Sequence, residues 1–170
     1  MAKITISGNP IQTIGDLPAK GTKVPDFELV KNDMSKVSLK DFAEKRLVLN
    51  IFPSLETSIC AASIRRFNKE AAELKNTQVL CISRDLPFTQ ARFCGTEGIT
   101  NAITLSDFAT GQFGKDYQLE ISTGPWAHLL SRVVIVTDEN HKVLYTQQVP
   151  EIGEEPNYEA ALAVLNKVLI

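Results

Sequence analysis

The sequence predicts an α/β domain built on a mixed central sheet, and three observations carry that expectation. Two apolar runs rich in strand formers, RLVLNIF (46–52) and TQVLCIS (77–83), read as buried strands. The segment between them places Cys60, Ile64, Phe67, Ala71 and Leu74 at alternating steps of four and three, which is one face of a helix. Such a β-α-β unit implies parallel strands joined by a right-handed crossover. By contrast, RVVIVTD (132–138) and KVLYTQQV (142–149) flank Glu139, Asn140 and His141 and read as an antiparallel hairpin, so the sheet is mixed.

The other elements follow in order. TISGNPIQTI predicts an N-terminal hairpin with Gly8, Asn9 and Pro10 as its turn. Residues 20–35, with Pro25 near their start, read as irregular. Ser38 is placed to cap a short helix at LKDFAEK. LPFTQARFC (86–94) reads as a short helix, with Asp85 as its cap and Gly95 as its stop. AITLS (102–106) is a further strand, and DFATGQFGKDY a short helix and turn. The terminal helix runs over NYEAALAVLNKVL, with Tyr158, Leu162, Leu165 and Leu169 on one stripe. No repeat, low-complexity tract or long linker divides the chain, so residues 1–170 are expected to form one domain.

Composition narrows the function. The chain has 170 residues, of which 44% are apolar, enough for a substantial core. A net charge of −2, with both signs interspersed, gives no reason to expect nucleic acid or an anionic membrane as partner. MAKITISGNPIQTIG lacks the basic start and apolar run of a signal peptide, and no apolar stretch approaches the ~20 residues of a membrane helix. The expected location is the cytoplasm. There, disulfides are usually transient and catalytic, and an odd count of three cysteines fits a reactive set better than a static framework.

The chemistry concentrates in FPSLETSIC (52–60), where Cys60 falls in the first turn of a helix beyond the carboxyl end of a buried strand. Open α/β sheets bind ligands at such ends, and the unpaired N–H groups and partial positive charge of a helix N-terminus favour a thiolate. Cys60 also lies on the core stripe, so spacing alone leaves both an apolar filler and a reactive thiol open. Thr57, one turn earlier, is placed to donate to the sulfur and accept from a substrate hydroxyl; Thr57 or Ser58 equally fits a plain helix cap. Arg65 and Arg66 lie more than a turn further on and are expected to face solvent. Cys81, inside TQVLCIS, reads as packing, and Arg132 taken alone as a surface cation beside a strand end. His128 and His141 lack metal-ligand spacing, no Gly-rich phosphate loop appears, and no metal or cofactor is expected.

PSLETSIC carries the proline-x3-threonine-x2-cysteine signature of peroxiredoxins, and the chain resembles the thiol peroxidases, atypical two-cysteine peroxiredoxins. The resemblance runs through NPIQTIGDLPAKGTKVPDFELV, FPSLETSICAASIRRFNKEA, VLCISRDLPFTQARFCGTEGI and DENHKVLYTQQVPEIGEEPNYEAAL. It implies a thioredoxin-like fold with an N-terminal hairpin. It implies Cys60 as peroxidatic and Cys94 as resolving cysteine, joined in an intramolecular disulfide after a Cys60 sulfenic acid. It further implies that Pro53, Thr57 and Arg132 shape the peroxide pocket, that hydrogen peroxide and alkyl or lipid hydroperoxides are the substrates, that thioredoxin is the reductant, and that the protein is a homodimer. Because both cysteines are read on helices, local unfolding is expected during turnover. Glu56 stands where aspartate is the more usual residue, and Trp126 and His128 are bulkier or more polar than the family pattern; they are expected to affect the pocket rim or the dimer contact.

Two other classes compete. A cysteine hydrolase requires His128 or His141 beside Cys60. A non-catalytic binding module is the third reading, disfavoured by the presence of both Thr57 and Arg132. A thioredoxin-like reductase is weak, because the chain has no Cys-x-x-Cys.

Overall fold

In the computed structural model, which describes residues 2–168, strands β1 (Lys3–Ile6) and β2 (Asn9–Gln12) form an N-terminal antiparallel hairpin. Ser7 and Gly8 make its turn, at φ 49° and 79°. Positive φ at both central residues suits the right-handed twist of the strands. Asn9 and Pro10, expected in the turn, therefore belong to β2.

The central sheet contains β3 (Glu28–Lys31), β4 (Lys36–Ser38), β5 (Arg46–Ile51), β6 (Thr77–Ser83), β7 (Ala102–Ser106), β8 (Val133–Thr137) and β9 (Val143–Gln148). Their order is β4-β3-β7-β6-β5-β8-β9. Strands β5, β6 and β7 run parallel, and β8 runs antiparallel to β5 and β9, so the sheet is mixed as expected. β3 corrects the irregular reading of residues 20–35: it pairs antiparallel with β7 on one side and with the edge strand β4 on the other.

Among the described residues four α-helices accompany the sheet: α1 (Ser58–Ala71), α2 (Pro87–Glu97), α3 (Gln112–Asp116) and α4 (Tyr158–Val168). LKDFAEK forms only a 3-10 turn at Leu39–Phe42, where the Asp41 carboxylate accepts the Ser38 N–H at 2.7 Å. Helix α2 runs past Gly95 and stops at Gly98, whose φ of 66° supplies the left-handed cap. Leu86, not Asp85, occupies its N-cap position, and Pro87 opens it. Tyr158, Leu162 and Leu165 of α4 are buried as expected; Leu169 lies outside the described residues.

Alternation along the strands divides the core into two layers. Leu47, Leu49, Ile51, Leu80 and Ile82 pack with Phe27, Phe113 and Tyr117 on one face. Val48, Phe52, Val79 and Cys81 pack on the other beneath α1 and α4, with Cys60, Ile64, Phe67, Ala161 and Leu165. Burying side chains such as Ile64 and Phe67 stabilises the fold by about 1.5–3 kcal/mol each, which fixes α1, and Cys60 with it, against the sheet. A third cluster, Ile4, Ile11, Ile121 and Ile152, seats the hairpin. No described helix is long and apolar enough to cross a membrane.

Candidate active site

Strand β5 ends at Ile51, and the chain turns through buried Pro53 and Leu55 before α1 begins. Thr57 is the N-cap: its hydroxyl accepts the Cys60 N–H at 3.4 Å and donates to the Ser54 carbonyl at 3.1 Å. Its hydrogen is thus directed at a carbonyl rather than at sulfur, and the capping role is the one seen.

Cys60 sits in the first turn of α1 and is fully buried. The sulfur does not lie in an apolar setting alone. Arg132, the residue before β8, is 2% exposed and donates from Nη1 to Cys60 Sγ at 3.1 Å. Val133 pairs with Ile51, so Arg132 stands beside the carboxyl end of β5, on the same sheet face as Cys60. Its Nε donates to the Ile152 carbonyl at 2.8 Å, which fixes the plane of the guanidinium. A cation and a helix N-terminus meet at one sulfur, and both stabilise negative charge there. The surface-cation reading of Arg132 is therefore overturned.

The loop that carries Pro53 and Thr57 is held by a residue the sequence presented only as a helix cap. The Asp85 carboxylate accepts from Ser54 Oγ at 2.7 Å, from the Leu55 N–H at 2.8 Å and from Ser83 Oγ at 2.7 Å. Asp85 follows β6, the parallel neighbour of β5, so both strands deliver their carboxyl ends to the same place. The signal in the sequence was a Ser-x-Asp directly after the second buried strand.

Cys94 lies on α2, part-buried, with Sγ 3.6 Å from Thr104 Oγ1 on β7. All three cysteines are free thiols. The two sulfurs have different neighbours, Arg132 Nη1 for Cys60 and Thr104 Oγ1 for Cys94. Two ties hold α2 and its exit to α1: Arg65 makes a two-pronged pair with Glu97, at 3.1 and 3.0 Å, and Asn68 Oδ1 accepts the N–H groups of Thr100, Asn101 and Ala102. Glu56 pairs on the surface with Arg92, at 3.3 Å. Arg66 is half-buried, paired with Glu70 at 3.1 Å and lying 5.1 Å over the Tyr158 ring.

Cys81 is fully buried, and burial pushes its thiol up to about 12, although Asn50 Nδ2 lies 3.8 Å from the sulfur. It packs in the core layer with Val48, Phe52 and Val79. Neither histidine serves Cys60. His141 is buried and bonds the Phe42 carbonyl at 3.0 Å, in the β8–β9 turn at the amino-terminal end of β5. His128 is exposed, with its carbonyl bonded by Arg84. The hydrolase reading lacks its base among the described residues. Trp126 packs on the hairpin cluster.

The chain is similar to known proteins in sequence and in fold. A family model described as Redoxin matches residues 19–162. A thiol peroxidase from Corynebacterium glutamicum is 52% identical over 166 residues, covering 98% of this chain and 100% of the relative. Among solved structures, a peroxiredoxin-like protein from Aquifex aeolicus is similar at TM-score 0.89 and 34% identity, covering 98% of this chain and 95% of that one. A thiol peroxidase from Chromobacterium violaceum reaches TM-score 0.88 at 22% identity, covering 98% and 97%, a likeness of fold. The sheet and its helices are those of the thioredoxin-like fold, and the chain belongs to the thiol peroxidases of the peroxiredoxin family.

Proposed function

We propose that this peroxidase reduces hydrogen peroxide and alkyl or lipid hydroperoxides through Cys60, with Cys94 as resolving cysteine and thioredoxin as reductant. The observation that carries the reading is the 3.1 Å contact between Arg132 Nη1 and Cys60 Sγ at a helix N-terminus. The Cys60 thiolate attacks the terminal oxygen of the hydroperoxide in line with the O–O bond. An S–O bond forms, the O–O bond breaks, and the leaving alkoxide or hydroxide takes a proton from solvent. Arg132, always charged, stabilises the negative charge that grows on the leaving oxygen. Thr57 Oγ keeps a lone pair for the hydroperoxide O–H, and Pro53 walls the pocket.

Cys60 is then a sulfenic acid. The Cys94 thiol condenses with it, expelling water and forming an intramolecular disulfide, after α1 and α2 have loosened enough to bring the Cα atoms within about 7 Å. Thioredoxin's dithiol reduces the bridge by exchange and leaves as its own disulfide. Residues 1–170 work as one domain in the cytoplasm. We further propose a homodimer, since Leu86, Phe88 and Phe108 are 50%, 67% and 40% exposed and Ser106 Oγ ties Asp85 to Phe108. The mass of the native protein in solution checks the dimer.

The activity is tested by following NADPH consumption with thioredoxin, thioredoxin reductase and a hydroperoxide. The parent protein should sustain turnover and Cys60→Ser should not, because serine's hydroxyl is not ionised near neutral pH. Thioredoxin-dependent turnover by Cys60→Ser would refute the assignment.

A further inference from the structure

The hairpin at the N-terminus is remote from the chemistry in sequence but joined to it in space. Arg132 reaches Cys60 with Nη1 while its Nε is held by one acceptor, the Ile152 carbonyl, at 2.8 Å. That carbonyl orients a guanidinium only if its own peptide is fixed, and Ile152 lies outside every named strand and helix. The hairpin fixes it. The Ile152 N–H donates to the Thr5 carbonyl at 2.9 Å, and the Thr5 N–H donates to the Pro150 carbonyl at 2.8 Å. The Ile152 side chain is 1% exposed among Ile4, Ile11 and Ile121, with Trp126 packed against them.

Glu151 locks this seam. Its carboxylate accepts from Thr5 Oγ1, from the Ser7 N–H at 2.8 Å, from the Gly8 N–H at 3.2 Å and from the Gly153 N–H at 3.4 Å. A carboxylate only accepts, and offers about four lone-pair sites, so it suits several converging donors. An amide in its place would turn N–H groups toward some of them. The Thr5 hydroxyl foremost, then the Gly8, Ser7 and Gly153 amides, hold the Glu151 carboxyl below its ordinary range.

We propose that Glu151 is a positioning residue for the peroxidase reaction: by clasping the β1–β2 turn onto residues 150–153 it fixes the Ile152 carbonyl that aims Arg132 at Cys60. The hairpin is then part of the catalytic apparatus rather than a cover. The proposal rests on Arg132 as the group that polarises the peroxide.

The test compares two rates at Cys60 in the reduced protein: oxidation by hydrogen peroxide, which uses Arg132 to break the O–O bond, and alkylation by iodoacetamide, which breaks no such bond. The readout is their ratio, with melting temperature measured alongside. Glu151→Ala should lower the ratio roughly tenfold to a hundredfold, the scale of small misplacements of a catalytic group. Glu151→Gln, which keeps one acceptor oxygen, should fall between Glu151→Ala and the parent. Thr5→Val, which removes one bond to the carboxylate, should lower the ratio less than Glu151→Ala. If Glu151→Ala does not fold, Glu151→Gln and Thr5→Val decide on the same ratio. A parent ratio with only a lower melting temperature would overturn the proposal and leave Glu151 a structural clasp. Arg132→Lys is the control: if it too keeps the parent ratio, the reading of Arg132 fails and the proposal falls with it.

Discussion

Cys60 and Arg132 are 72 positions apart in the chain and 3.1 Å apart in the fold. Their pairing was legible only through the family resemblance, because strand patterning says nothing of which residue beyond β8 faces which helix. Asp85 was illegible for a related reason. A Ser-x-Asp after a strand reads as a helix cap until the register puts the ends of β5 and β6 side by side, where its carboxylate instead takes three donors of the Cys60 loop and strand end. This makes Asp85→Asn informative. The amide keeps one acceptor oxygen and sets an N–H₂ against a donor, so one hydrogen bond to a charged group is lost, about 1.5–3 kcal/mol. Urea unfolding should register that loss, and stopped-flow oxidation of Cys60 should slow as the Pro53–Thr57 loop loosens. Parent values in both would mean the loop is built without the carboxylate.

At the scale of elements, periodicity was a sound guide where both faces of a strand are buried and poor at the edges. β5, β6, α1 and β7 fell where their apolar patterns put them. Strand β3, paired with the short edge strand β4, did not: four residues, with Glu28 and Lys31 at its ends and Pro25 shortly before, carry too little pattern to be told from a loop. The stop of α2 was misplaced because Gly95 and Gly98 look alike in sequence, and only a positive φ separates a cap from a helical glycine. The hairpin was foreseen as an element, but its turn and its purpose were not. The clasp that gives it a purpose has a pH signature. A carboxylate whose folded pKa is depressed stabilises the fold above its ordinary value, 4.5 for Glu151, and that contribution is lost as pH falls through the lower, folded value. The Ser7 and Gly8 amide protons, which donate to Glu151, should therefore shift in an acid titration with a midpoint below 4.5. A midpoint at or above 4.5 would mean the carboxylate is not held in the seam.

At the scale of the whole molecule, the site gathers its parts at the carboxyl ends of parallel strands, where such sheets present ligand sites. β5 delivers the Cys60 loop, β6 delivers Asp85, and Arg132 stands there immediately before antiparallel β8. Residues 150–153, tied to the N-terminal hairpin, supply the carbonyl that holds the arginine. Cys94 stands apart on α2, tied to α1 through Glu97 and the chain after Gly98, and its sulfur faces β7 rather than Arg132. On the proposed mechanism the two thiols, free in this structure, join only after Cys60 is oxidised. Peptide mapping by mass spectrometry after one equivalent of peroxide tests this most directly. The predicted product is a monomer lighter by two hydrogens, with Cys60 and Cys94 bridged within one chain and Cys81 still a free thiol; a bridge to Cys81, or one joining two chains, would contradict it.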